Sequence, residues 1–123
     1  MKIYSFEKLN FWNDLKGFVK AIYSITEGFP DSEKFGLTNQ MRRAAISISS
    51  NIAEGTSRVS LKDQAHFSQI AFSSLMEVLS QLIVANDLGY INNENYIKLR
   101  ENIDSIARQI NALRKSQLAK SNP

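Results

Sequence analysis

Cysteine is missing from this chain of 123 residues, which rules out disulfides and thiolate-bound metals. Histidine occurs once, at His66, so a metal site that needs two imidazoles cannot be assembled from one chain. Proline occurs twice and glycine five times, a scarcity of chain breakers that suits a compact helical protein. No run approaches the roughly 20 apolar residues of a membrane span. The opening MKIYSFEKLNFW has no apolar core of the kind a signal peptide carries. A cytoplasmic protein without a membrane partner is the expectation.

Motifs of catalysis are equally scarce. There is no glycine-rich phosphate loop and no nucleophile elbow. A di-iron bundle needs Glu-x-x-His on two helices, and Asp63-Gln64-Ala65-His66 is one imperfect copy. Ser47, Ser49 and Ser50 have no histidine on their own helix, and small residues at a helix contact account for them better than a nucleophile does. Glu54 borders an apolar stripe, but Arg58 one turn later makes an ion pair the simpler reading. No catalytic, cofactor or metal residue is expected, and hence no enzyme.

What is present is helical periodicity. In Leu37–Gly55, LTNQMRRAAISISSNIAEG, the residues Leu37, Met41, Ala44, Ala45, Ile48 and Ile52 recur at steps of three and four and share one face. Arg43, Ser47, Ser50 and Glu54 line the opposite side, and Arg42, Ile46, Ser49 and Ala53 a third. Small residues on two faces let neighbours approach from both sides.

The same pattern sets four helices, at about 10–27, 38–57, 61–87 and 93–116, in a single domain spanning 1–123, with the tail 117–123 frayed. In the first, Phe11, Leu15, Phe18, Ile22, Ile25 and Phe29 form a seam; Gly28 is expected in a left-handed cap and Pro30 as the stop. Thr38 is the expected N-cap of the second. Ser60 and Asp63 resemble a capping box for the third, and Asn92 is the expected N-cap of the fourth. Gly89 closes the third helix as its left-handed cap. The fourth carries Tyr96, Leu99, Ile103, Ile106, Ile110 and Leu113 in strict alternation.

Short connections favour an antiparallel up-down-up-down four-helix bundle, an all-α fold. The third helix is apolar beyond what one core face needs, since Ile70, Met76, Ile83 and Val84 flank its main stripe. With Ile46 and Ala53 of the second helix, these are the expected contacts of a homo-oligomer.

Charge is unevenly spread. Residues 1–36 balance to zero, 37–59 carry +2, 60–89 carry −2 and 90–123 carry +3, for a net +3. After Asp104 the chain holds Arg108, Arg114, Lys115 and Lys120 and no acid. Cations near a helix C-terminus offset the macrodipole, and together they also suit a polyanion. Arg42, Arg43, Arg58, Arg108, Arg114 and Lys115 are the candidate contacts for RNA or DNA backbone. The other reading is a protein-interaction scaffold with no nucleic-acid ligand.

One resemblance adds to this. Phe29-Pro30, Glu33, Phe35-Gly36, Leu37-Thr38, Gln40, Arg43-Ala44, Ser47-Ile48 and Asn51-Ile52-Ala53-Glu54-Gly55 resemble the signature of the four-helix bundle proteins encoded in intervening sequences of 23S ribosomal RNA genes. The likeness extends loosely from Trp12 to Leu88-Gly89-Tyr90. It implies a ring-shaped homopentamer and makes RNA the natural ligand to suspect. A similar bundle serves as the basic, pentameric accessory protein of reverse transcriptases in diversity-generating retroelements. Of the candidate contacts, only Arg43 matches the family's motif.

Overall fold

The computed structural model describes residues 1–121. It contains α1 (Trp12–Glu27), α2 (Leu37–Thr56), α3 (Leu61–Asp87) and α4 (Asn93–Ser121), with short 3-10 turns at Ser5–Lys8 and Asp31–Glu33. No strand occurs among the described residues. The apolar stripes meet in one core: Leu15, Phe18 and Ile22 of α1, Met41 and Ile48 of α2, Leu75 and Leu82 of α3, and Ile103, Ile106 and Ile110 of α4 are all buried. Burying a side chain of this size is worth about 1.5–3 kcal/mol before entropy is counted, so these stripes dominate the fold.

The helix neighbours follow from residue size. α3 packs along α2 on one side and α4 on the other; α1 rests on α2 and touches α4 lightly. Small residues of α2 permit the close contact with α3, whereas the looser contact with α1 is bridged by a long side chain. Toward α3, the Ser47 and Ser74 hydroxyls bond at 2.9 Å, and Gly55 accepts Phe67 against its backbone. Toward α1, Arg42 donates through Nε to Thr26 Oγ1 at 2.8 Å.

The connections gather at two ends. At one, Phe29 of the α1–α2 connection packs on Tyr90 of the α3–α4 connection with ring centroids 5.4 Å apart. The Tyr90 hydroxyl also donates to Glu33 Oε2 at 2.9 Å. At the other, Ser5, Thr56, Leu61 and Lys120 line a common crevice, bringing the N-terminal segment, the α2–α3 connection and the end of α4 together.

Several local expectations are met. Gly89 has φ +78°, the Tyr90 N–H donates to Ala85 O and the Gly89 N–H to Asn86 O, which together close α3 in a Schellman motif. Asn92 Oδ1 accepts from the Asn95 N–H at 2.8 Å, and Ser60 Oγ from the Asp63 N–H at 3.0 Å. Only that half of the capping box at Ser60 forms.

Others are corrected. Gly28 has φ −86°, in the right-handed region, because backbone bonds from Gly28 and Phe29 to Ile25 O and Thr26 O already satisfy the helix end. Thr38 is not the N-cap of α2; it is buried in the first turn, where the Leu37 N–H donates instead to Glu33 Oε1 at 3.3 Å. The segment from 117 is not frayed as far as it is described. α4 continues to Ser121, held by Gln117, whose Oε1 accepts from Ser68 Oγ at 2.7 Å in a buried bond. Residues 122 and 123 of the expected tail lie outside the described residues.

The expectation about apolar runs is corrected too. An 18-residue window of α3 reaches a mean hydropathy of 1.4, long and apolar enough by composition to cross a membrane. Serines interrupt the run to the eye, but serine lowers mean hydropathy only slightly. In this fold that helix lies between α2 and α4, with a third of the window (33%) buried.

Candidate nucleic-acid interface

A cation can meet phosphate only where it is exposed and not already neutralised, so each candidate is judged by its partners. Arg42 is committed to its own chain. Besides Thr26, it donates through Nη2 to Tyr23 O at 3.2 Å and approaches Glu27 at 3.5 Å. Its guanidinium carbon lies 4.8 Å from the Tyr23 ring centroid. Thr26 is oriented for this contact because its own hydroxyl donates back to Ile22 O at 2.8 Å, leaving the oxygen's free side to accept. Arg42 is therefore a clamp between α1 and α2.

Arg58 is similarly engaged. Nη2 donates to Glu54 Oε1 at 2.9 Å, and the guanidinium stacks 4.5 Å from the centre of Phe67. Gly55, one residue past Glu54, makes this possible by letting Phe67 lie against α2. The spacing of Glu54 and Arg58 is legible in the sequence; the stacking partner, on another helix, is not. Arg114 is half-buried, and its Nε sits out of reach of solvent with no acceptor among the described residues.

Arg43, Arg108 and Lys115 are exposed, and none takes part in an ion pair; among the described residues only Arg42–Glu27 and Arg58–Glu54 are paired. Arg43 borders a shallow groove between α2 and α3 with Gln40, Ser47 and Glu77. Arg108 and Lys115 are seven residues apart on one flank of α4, about 10 Å along the axis. Because α2 and α4 lie diagonally across the core, with no close approach of their backbones, a single chain does not bring Arg43 next to Arg108.

The expected oligomer contacts fall on different flanks. Ile46 (43% exposed), Ile83 (37%) and Val84 (47%) are open to solvent, whereas Ala53, Ile70 and Met76 are half-buried. Met76 packs on the core. Ile46 lies one turn beyond Arg42 and so shares the α1 side of α2, away from α3. Exposed apolar side chains that helical spacing does not flag are Phe35 and Val59, at 86% and 101%, and Leu88, at 52%. Each occurs in or beside a connection, where no periodicity signals which way a side chain faces.

Elsewhere the chemistry is sparse. No group of three or more His, Asp or Glu residues is placed to hold a metal among the described residues. His66 is exposed, its ring 6.0 Å edge-on from Phe67. Ser47 is engaged with Ser74 and Asn51. Among the described residues the titratable group with a clear shift is Tyr90, raised above its ordinary 10.0 chiefly by its bond to Glu33, then by burial and by the Glu33 charge.

Comparison with known proteins agrees with the helical arrangement. The profile of the 23S rRNA-intervening sequence proteins matches residues 7–112. No curated protein matches the chain. A crystal structure of a protein of unknown function from the S23 ribosomal protein family of Bacteroides thetaiotaomicron has a similar fold, with a TM-score of 0.78. It is 22% identical, over 85% of this chain and 94% of that one. The two folds correspond.

Proposed function

The chain belongs to the 23S rRNA-intervening sequence protein family, and we propose that it acts as a non-catalytic oligomeric four-helix bundle that binds nucleic-acid backbone. One observation carries this reading: Arg43, Arg108 and Lys115 are exposed cations without an acid partner among the described residues. Such groups hold counterions that a phosphate backbone displaces, and the gain grows with the number presented together. The family's tie to ribosomal RNA genes favours RNA over DNA. We infer an antiparallel up-down-up-down order for the bundle, because Gly55 faces Phe67 while Ser47, eight residues earlier, meets Ser74, seven residues later.

Self-association supplies the multiplicity that one chain lacks. Ile46, Ile83 and Val84 on separate flanks suit a closed ring, where each subunit uses two different faces. The resemblance points to five subunits. A pentamer of a +3 chain carries about +15, and repeated weak contacts reinforce one another. A cytoplasmic location and the absence of a membrane partner are parts of the same proposal. A second reading, a scaffold for a protein partner, is favoured by Phe35 and Leu88, both exposed near the end where the α1–α2 and α3–α4 connections meet.

Size-exclusion chromatography with light scattering, at low salt and with and without a structured RNA, tests both. A mass near five times 13.9 kDa that rises with RNA supports the proposal. A ring indifferent to RNA leaves the scaffold, and a monomer removes the ring.

A further inference from the structure

We infer that the phosphate backbone is met at one end of the molecule, where the N-terminal segment, the α2–α3 connection and the last turns of α4 converge. This rests on the nucleic-acid reading above and assigns it a place. That reading came from cations scattered along α2 and α4; the structure shows a concentration that the linear sequence hides.

The two ends carry opposite charge. Residues 1–9, 54–66 and 111–121, which converge around the crevice lined by Ser5, Thr56, Leu61 and Lys120, hold seven Lys and Arg against three acids, a balance of +4. Residues 24–42 and 84–97, which meet at the Phe29–Tyr90 contact, hold five acids against Lys34 and Arg42, the latter paired with Glu27, a balance of −3. The net +3 of the chain conceals this separation. A polyanion approaching from solution is attracted to one end and repelled by the other.

The local chemistry strengthens the contrast. Lys2, Lys8, Lys62, Lys115 and Lys120 are all exposed, and none is ion-paired among the described residues. Two of the three acids are already occupied: Glu7 accepts from the Tyr4 N–H at 2.8 Å, and Glu54 holds Arg58. α3 begins here while α2 and α4 end here, so helix dipoles give no net help and the side chains decide. Tyr4, 56% exposed with the Lys2 ammonium 5.1 Å from its ring centre, offers a face on which an unpaired base can stack. The crevice between these elements, about 310 Å³, has Lys120 in its wall. Of the three exposed cations above, Lys115 belongs to this surface, Arg43 on α2 and Arg108 on α4 fall outside it, and Arg42 is excluded by its role as a clamp.

The test compares two charge reversals of equal size in the full-length protein. One variant carries Lys62→Glu, Lys115→Glu and Lys120→Glu; the other carries Lys16→Glu, Lys20→Glu and Lys98→Glu, exposed lysines outside the basic end. Binding of a labelled short single-stranded RNA, and of a duplex of the same sequence, is followed by anisotropy over a salt series. The expected result is a loss of at least about tenfold for the first variant, with the slope of log affinity against log salt smaller by about two to three. The second variant should stay within about threefold of the parent, the residue of its long-range effect. Equal losses in both variants would overturn the placement and leave the nucleic-acid reading standing. No binding by the parent would overturn that reading and the placement together. Circular dichroism and elution volume check folding and assembly. Should the first variant misfold, neutralisation by Lys62→Gln, Lys115→Gln and Lys120→Gln makes the same comparison.

Discussion

Gly55 lies so close to Phe67 that a Cβ at position 55 would stand 2.8 Å from the Phe67 Cβ. The atom it meets is next to the backbone, so a rotamer change cannot relieve the clash; α2 and α3 must separate. Alanine at a helix position gains about 1 kcal/mol over glycine, whereas overpacking a tight contact costs about 1–3 kcal/mol. Strain should win. Gly55→Ala is expected to lower stability by about 1 kcal/mol, read as a reduced urea midpoint at unchanged slope. A raised midpoint would mean that the helices do not meet this closely.

The buried bond from Ser68 Oγ to Gln117 Oε1 makes the last turns of α4 part of the core. Gln117→Leu should cost about 1–3 kcal/mol, because it removes the acceptor of a buried hydroxyl. Ser68→Ala alone strands the amide in the same way. Combining the two should restore much of the loss, since both partners are then apolar. A double-mutant cycle by chemical denaturation measures the coupling. A wild-type midpoint in Gln117→Leu would return the segment after 116 to the frayed state that its composition suggests.

That segment shows where sequence reading stops. Helices of strong period were legible: Leu15, Phe18 and Ile22, or Ile103, Ile106 and Ile110, announce a buried face by spacing alone. Gln117 and Ser68 are polar, 49 residues apart and bonded to each other, so neither carries a local signal. Arg42 is the same case among the candidate contacts. Its charge is plain, but Thr26, which determines what that charge does, belongs to another helix. Gly28 and Thr38 failed for a different reason: the backbone and Glu33 met needs for which the sequence offered an apparent specialist. The charge of the ends is a tertiary property, created when three distant segments converge.

The Tyr90–Glu33 bond predicts a stability change at alkaline pH. With its folded pKa raised above 10.0, neutral Tyr90 is favoured by folding. Its contribution is complete below the unfolded value near 10 and is lost as pH rises through the higher folded value. The informative quantity is the difference from Tyr90→Phe, which isolates this one phenol from the rest of the chain. Denaturation midpoints of the two proteins should differ at pH 8 and converge as pH climbs past 10. A gap that stays constant through that window would show that Glu33 does not hold the phenol proton.

Arg42 and Arg43 are adjacent and equally charged, and the structure gives them opposite consequences. Arg42 bonds Thr26, Tyr23 and Glu27; Arg43 is exposed and unpaired. Loss of Arg42 removes one short side-chain bond, a cation–π contact and a mostly exposed ion pair, the last worth little by itself. Arg42→Ala should therefore cost about 1–2 kcal/mol of stability, chiefly through the Thr26 bond and the Tyr23 stacking. Arg43→Ala should leave stability within about 0.5 kcal/mol. Polyanion binding by the folded proteins should show little change for Arg42→Ala, since its guanidinium is already neutralised within the chain. For Arg43→Ala the change should be small but general across sequences, as one long-range positive charge is lost from every subunit. Thermal melts paired with anisotropy titrations separate the two effects. A stable Arg42→Ala that binds RNA many-fold more weakly would show that Arg42 leaves its clamp to meet the ligand.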